Sequence, residues 1–303
     1  MTTASPAIAR TNKLRTYASF VRFEHTLFSL PLILAGIFSV PGPHLTLARW
    51  LLTALAAVGA RTAAMSLNRV IDRRIDARNP RTQVRELPAG RMRFAEAVAL
   101  LVGSALVYLA ACAALGMWYL KVAVVPLAVF TIYPYLKRFT PFCHIGVGAG
   151  LALAPLAGYA AAHPDLANPW PALLIAGFAL CWVTGFDIIY ATLDENSDRA
   201  NGIHSLVVWL GRDRALQVSW ALHLASAAVL AFAVYRVLGG FPVPGMAWLV
   251  LAGTLFAATV TLLYLEQRWA EDVNLAFFKT NVWVGFLVFI MVIAARLAAG
   301  GIL

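Results

Sequence analysis

An all-α integral membrane protein with nine transmembrane helices is the fold class this sequence predicts, and three observations predict it. Of the 303 residues, 61% are hydrophobic and only 13% are charged, with a mean hydropathy of +0.76, more apolar side chain than one soluble core encloses. The apolar residues gather into nine runs, each near the roughly 20 residues that a spanning helix needs. The charged residues gather in alternate loops.

Taken in order, residues 1–19 are polar and basic and lack the pattern of a cleavable signal. They are expected to form a cytoplasmic N-terminal segment ahead of a transmembrane domain over 20–303. The apolar runs fall at roughly 20–40, 47–70, 94–115, 118–136, 143–162, 170–190, 217–237, 244–265 and 278–298. Pro41-Gly42-Pro43, His163-Pro164-Asp165 and Gly239-Gly240-Phe241-Pro242 separate some of them, as short turns between helices require. Cys112, Cys143 and Cys181 lie in or beside apolar runs without close pairing, which suits packing residues rather than disulfides or a metal knuckle.

Nineteen of the 24 Lys and Arg fall on the side of the N-terminus and the loops after spans 2, 4, 6 and 8; Arg49, Lys121, Arg236 and Arg296 fall on the other, and Arg61 falls mid-span. The positive-inside rule makes the first side cytoplasmic. The net charge of +10 is therefore topological in origin, and no nucleic-acid partner is expected. Thirteen of the fourteen acidic residues share that side, leaving Asp165 alone opposite. Orientation does not demand this, because Asp and Glu contribute little to it.

Two acidic motifs account for much of the excess. Span 2 ends with Asn68, Asp72 and Asp76, and span 6 with Tyr190, Asp194 and Asp198, each set spaced by four. On a helix continuing out of the bilayer such residues stack along one face. Mg²⁺ takes oxygen ligands, keeps several waters, and is held by one or two carboxylates together with substrate phosphate oxygens. Two facing helix ends of this kind suit a Mg²⁺-bridged diphosphate. For one motif alone, exposed helix pairs with Arg69 and Arg73 explain the carboxylates equally well; the second motif weakens that account. Asp187, within the last apolar turns of span 6, sits where a carboxylate costs up to about 3 kcal/mol and marks a site.

The flanking cations have two readings. The arginines from Arg73 to Arg93 serve topology and anionic lipid headgroups, with one or two free to grip a diphosphate. Lys137 and Arg138, after Tyr133-Pro134-Tyr135, read either way. So do Arg22 and His25 at the start of span 1, as an interfacial cluster or as substrate contacts.

These residues resemble the UbiA superfamily of intramembrane prenyltransferases, which includes 4-hydroxybenzoate polyprenyltransferases. The likeness covers Arg22, Asn68-xxx-Asp72-xxx-Asp76, Asn79-Pro80-Arg81-Thr82, Arg85 to Gly90, Tyr133 to Thr140, Asp187-xx-Tyr190-xxx-Asp194-xxx-Asp198, Gly202 to Ser205, and Asn281. The resemblance implies nine helices around a central cavity, with Asp72, Asp76, Asp194 and Asp198 holding Mg²⁺. Asn68, Arg85, Lys137, Arg138 and Asn281 then bind the polyprenyl diphosphate, and the tail lies in an apolar tunnel open to the bilayer. Asp187, Tyr190 and Arg22 become the catalytic or acceptor-positioning candidates, for transfer of the prenyl group to an aromatic acid in quinone biosynthesis at the cytoplasmic membrane.

Two departures bear on the acceptor. Arg69 follows Asn68 where many relatives carry Asp, and His204 stands where some quinone-pathway relatives carry Lys. The stretch Glu24 to Pro31 is closer to enzymes of dihydroxynaphthoate acceptors. Haem farnesylation is a further acceptor class within this chemistry. A cation-coupled transporter fits less well, since the carboxylates cluster at one face instead of mid-membrane. Phosphatidyl transfer and soluble-type chain elongation lack their Asp patterns here.

Overall fold

The computed structural model describes residues 13–22, 26–239, 244–269 and 273–301. Helix α1 (Lys13–Phe20) leads to a turn at Val21 and Arg22, with Arg22 at φ 49°, and then to α2 (Thr26–Ile37). The long α3 (Leu47–Asp76) is followed by α4 (Phe94–Leu115), the short α5 (Met117–Val122) and α6 (Val124–Leu136). Helices α7 (Cys143–Ala162) and α8 (Trp170–Ala191) precede two short helices, α9 (Glu195–Asn201) and α10 (Leu206–Leu210). Helices α11 (Arg212–Leu238), α12 (Met246–Arg268) and α13 (Val273–Ala298) complete the bundle, and no strand occurs among the described residues.

Eight segments among the described residues are long and apolar enough to cross a bilayer, with α5 and α6 acting as one over Met117–Leu136. The chain is thus an all-helical, multi-pass membrane protein, and the expected nine holds approximately. The run read as 20–40 is divided, and α2 keeps 12 residues, or about 18 Å of helix, against a hydrocarbon core of about 30 Å. The runs at 94–115 and 143–162 coincide with α4 and α7. Helix α11 starts five residues before the apolar run, because Gly211 at φ 81° opens it with the polar turn Arg212-Asp213-Arg214.

Local chemistry fixes several ends. Thr46 accepts the Arg49 N–H to start α3, Ser205 accepts the Val208 N–H to start α10, and Glu96 turns back to the Arg93 N–H at the start of α4. Gly116, at φ 143°, separates α4 from α5.

Helix α8 is the most enclosed span, packed between α7 and α11, with Phe178, Trp182 and Val183 in the main core. Helix α3 lies against α4, α12 against α13, and α2 against α7 and α13. The α2–α7 crossing is backbone on backbone: a Cβ at Gly36 would fall 1.9 Å from the Pro155 carbonyl oxygen, and one at Gly158 would fall 2.1 Å from that of Ile33. Small residues serve this role in membrane helices, where close van der Waals contact drives association. Leu51, Val124 and Trp283 are exposed on the outer surface, where lipid is the solvent.

Candidate active site

The first acidic motif sits on unbroken helix. Helix α3 runs straight through Asn68, Asp72 and Asp76 before Ala77 caps it, and the Thr82 hydroxyl donates to the Asp76 carbonyl to fold the following segment back, 3.0 Å. Glu86, buried in that segment, accepts from the Ser19 hydroxyl at 2.7 Å, which ties the loop to α1. Asp72 and Asp76 are themselves buried.

The second motif departs from the expected continuous helix. Helix α8 ends at Ala191, and the Thr192 hydroxyl donates to the Ile189 carbonyl at 2.7 Å as the chain turns. Asp194 stands at the N-terminal boundary of α9, which carries Asp198 and stops at Gly202, φ 65°. Tyr190 and Asp198 therefore belong to different helices, and the spacing by four no longer sets them on one face.

The two motifs meet across a cavity of about 200 Å³ lined by Asn68, Asp72, Asp76, Asp187, Tyr190, Asp194 and Asp198, among others. On the first side, Lys137 Nζ donates to Asp72 Oδ2 at 2.6 Å and Asn68 Nδ2 to the same oxygen at 3.3 Å, while Arg85 Nη1 donates to Asp76 Oδ1 at 2.7 Å. On the second, Arg81 forms a two-pronged ion pair with Asp194, its Nε donating to Oδ1 at 2.8 Å and its Nη2 to Oδ2. Asn79 Nδ2 also donates to Asp194 Oδ1, 2.7 Å. Arg81 lies over the Tyr190 ring and donates to its hydroxyl at 2.5 Å.

Charge pairing overcomes burial at some of these groups and not at others. Burial opposes the Lys137 ammonium, yet Asp72 beside it holds its pKa above the ordinary lysine value. Burial acts to raise Asp194, but Arg81 and Asn79 outweigh it and keep the carboxyl below its usual range. Asp198 has no comparable relief: burial, reinforced by the Asp194 carboxylate, pushes it up to about 7.

A divalent ion fits this donor set. Asp72 Oδ1 and Asp76 Oδ2 are buried and lack a hydrogen-bond partner among the described residues; Arg138 Nη2 stands 3.8 Å from the former. Two open carboxylate oxygens, one turn apart, suit a hard cation. No group of three or more His, Cys, Asp or Glu converges to hold an ion among the described residues.

A second cavity of about 910 Å³ adjoins the first, lined mostly by apolar residues of α3, α4, α7 and the α5–α6 span. Asn68, Arg85, Tyr133, Val147, Asp187 and Tyr190 line both and mark their junction. From Asn68 to Thr53 along α3 the larger cavity follows 16 residues, or about 22 Å of helix rise. Its far end is crossed by Arg49, which donates to the Tyr119 hydroxyl at 2.7 Å and to the Ala161 carbonyl.

Most residues expected at the site are brought together here, and three are not. Arg22 lines the mouth of the larger cavity and not the acidic pocket. Arg138 turns to the Ile71 carbonyl at 2.9 Å and stacks over Tyr135, bracing α3 against α6. Asn281 lines neither cavity; it accepts from Trp182 Nε1 at 3.1 Å and donates to Glu266 at 2.7 Å in the core between α8, α12 and α13. Glu24 and His25 lie outside the described residues.

Arg81, Asn79 and His144 were not singled out as site residues from the sequence. Asn79 was visible only as part of a family-like segment, and Arg81 there and among the loop arginines of which one or two could grip a diphosphate. His144, second residue of an apolar run, gave no local signal; its Nδ1 lies 2.7 Å from Asp187 Oδ2. Cys143, taken for packing, lines the acidic pocket.

A bundle of apolar helices enclosing an acidic pocket that opens into a long apolar chamber defines a membrane-embedded enzyme acting on a molecule with one strongly charged end. The UbiA prenyltransferase family model matches residues 29–283. The chain belongs to that family and is a prenyltransferase. Among curated relatives, a 4-hydroxybenzoate octaprenyltransferase of Pseudomonas putida (strain GB-1) is 32% identical over 82% of this chain and 81% of its own. One of Psychrobacter arcticus is 28% identical over 94% of this chain and 96% of its own. The apo structure of a UbiA homolog from Aeropyrum pernix K1 superimposes with a TM-score of 0.77 at 32% identity, covering 88% of this chain and 95% of that one. A UbiA homolog from Archaeoglobus fulgidus, solved bound to GPP and Mg²⁺, shares the fold with a TM-score of 0.67 at 17% identity, over 90% and 99% of the two chains.

Proposed function

We propose that this chain transfers a polyprenyl group from an allylic diphosphate to the ring of 4-hydroxybenzoate, with Mg²⁺, as a step of respiratory quinone assembly at the cytoplasmic membrane. The acidic pocket then faces the cytoplasm, the side to which 19 of the 24 basic residues are assigned. The observation that carries this reading is the junction: open oxygens of Asp72 and Asp76 stand beside cations on one side, and an apolar chamber of about 910 Å³ begins on the other. A prenyl diphosphate has this same division of polarity. The family's metal-bound relative and the names of the curated relatives support the same reaction.

Asp72 and Asp76, with Asn68, would hold Mg²⁺ on one side of the diphosphate, and Asp194 and Asp198 on the other. When bound, the metal offsets the charge that collects on the departing diphosphate. Lys137 and Arg85 each keep donors beyond those given to Asp72 and Asp76, and these bind the phosphate oxygens. Arg81, now paired with Asp194, would bind the same anion where Asp194 serves as a metal ligand. The apolar walls keep water from the allylic carbon, so the acceptor ring meets it instead. Asp187 and Tyr190, on the junction, would orient the acceptor hydroxyl, and Arg22, which lines the larger chamber, would meet its carboxylate.

The test is direct. Purified protein in lipid nanodiscs is given polyprenyl diphosphate with 4-hydroxybenzoate or with dihydroxynaphthoates, and products are identified by mass. Prenylated 4-hydroxybenzoate formed only with Mg²⁺ is the expected result; product from the naphthoates alone moves the assignment to that acceptor. Exchange of a substrate across the membrane without any product would return the chain to the transporter class.

A further inference from the structure

The junction of the two cavities holds a pair of side chains with no part so far in diphosphate binding. Asp187, on α8, is the only carboxylate among the described residues that lines both chambers. Its side chain is 24% exposed, whereas His144 behind it is 3% exposed. His144 Nδ1 lies 2.7 Å from Asp187 Oδ2, and the Leu206 backbone N–H donates to His144 Nε2 at 3.4 Å. Both ring nitrogens are engaged, Nδ1 with the Asp187 carboxylate and Nε2 with the Leu206 backbone. The imidazole is thus fixed from both sides, by α8 and by the first residue of α10, and it aligns Asp187 as a buried orienting residue aligns a catalytic base.

Asn68, Arg85 and Tyr190, which share the junction with Tyr133, are committed elsewhere. The Asn68 amide donates to Asp72 and the Arg85 guanidinium to Asp76, and the Tyr190 hydroxyl is held by Arg81. Neither an amide N–H nor a guanidinium accepts a proton.

We infer that Asp187, positioned by His144, is the base that removes the ring proton of the aromatic acceptor. This rests on the prenyl transfer proposed above. In that step the bond between the allylic carbon and the diphosphate oxygen breaks, and its electron pair leaves on oxygen. A ring carbon of the acceptor supplies the pair for the new carbon–carbon bond. The hydrogen on that carbon passes as a proton to the Asp187 carboxylate, and the pair from the C–H bond restores the aromatic ring. Asp187 is the catalytic residue; His144 acts through it as a positioning residue.

The experiment compares acceptor carrying hydrogen or deuterium at the ring position that is substituted, using wild type, Asp187→Asn, His144→Ala and His144→Gln in nanodiscs. Loss of the base is expected to lower kcat by about 10²-fold or more in Asp187→Asn with little change in the KM for prenyl diphosphate. Proton removal then limits the rate, and a primary isotope effect absent from wild type appears. His144→Ala shows a smaller isotope effect, and His144→Gln, which keeps an N–H donor, recovers part of the rate. An isotope effect in the variants equal to that of wild type overturns the inference and gives the proton to the departing diphosphate instead. A rise in acceptor KM with unchanged kcat also overturns it, leaving Asp187 as a binding group. Thermal melts keep loss of fold apart from these outcomes. Failure of wild type to form product with any aromatic acid would overturn the proposed reaction, and this step with it, and is read in a separate arm.

Discussion

The two acidic motifs have the same spacing and opposite construction. Asn68, Asp72 and Asp76 ride one uninterrupted helix, and Asp72 and Asp76 are buried, each with an oxygen that lacks a hydrogen-bond partner among the described residues. Tyr190, Asp194 and Asp198 straddle a helix break, and both oxygens of Asp194 are taken by Arg81. The first motif is a rigid receptor whose geometry is set before anything binds. The second is held in reserve by an internal cation, and the same residue pattern serves two mechanical roles.

The largest expected effect lies on the rigid side. Asp72→Asn or Asp76→Asn removes a group that supports the departing diphosphate, and prenyl transfer at saturating substrate should fall about 10³-fold, as measured by product mass. A much smaller loss than in Asp194→Asn would reverse the roles assigned to the two motifs.

Next comes Lys137→Met. It leaves Asp72, 1% exposed, without its ammonium partner, and breaking a buried pair costs about 3 kcal/mol. A lowered melting temperature in metal-free protein, partly restored by Mg²⁺ with inorganic diphosphate, is the expected result.

Arg81→Gln probes the reserve. Hydrogen bonds to a charged group contribute about 2 kcal/mol, so the metal-free protein should lose stability by that order. The deficit should shrink when Mg²⁺ and diphosphate are present, because Asp194 then has another partner. An equal deficit in both conditions would mean that Arg81 never leaves Asp194.

Asn281→Ala should lower stability by about 1–2 kcal/mol through the unpaired Trp182 and Glu266, while the folded enzyme keeps its KM for prenyl diphosphate. A raised KM would carry Asn281 back to the diphosphate. The smallest effect belongs to Ser19→Ala, which removes one hydrogen bond to Glu86 worth about 1 kcal/mol and is best followed by hydrogen exchange over 77–93.

Much of this was readable from local pattern. Long apolar runs report helices wherever lipid surrounds them, which is why α4 and α7 match their runs at both ends. The first motif was legible because a helix carries its periodicity with it. The break after Ala191 was not, since no Pro or Gly lies between Tyr190 and Asp198; the Asp194 that follows it is held by Arg81 and Asn79, more than a hundred positions earlier in the chain. Asn281, expected at the diphosphate from the resemblance alone, joins Trp182 to Glu266 inside the bundle, a contact between positions far apart in the chain that carries no local signal.

The α2–α7 crossing, closed at Gly36 and Gly158, has a consequence for how such an enzyme is handled. Backbones in contact leave no gap for a branched hydrocarbon, so that wall cannot part. On the opposite wall Trp118 and Val125 both line the chamber and are about half exposed to the surroundings. The acyl chains of the membrane stand at that opening, and they are themselves solutes able to fill an apolar chamber. An affinity measured for an isoprenoid is then a displacement constant against lipid or surfactant, and it should drift with detergent concentration even when every residue is unchanged.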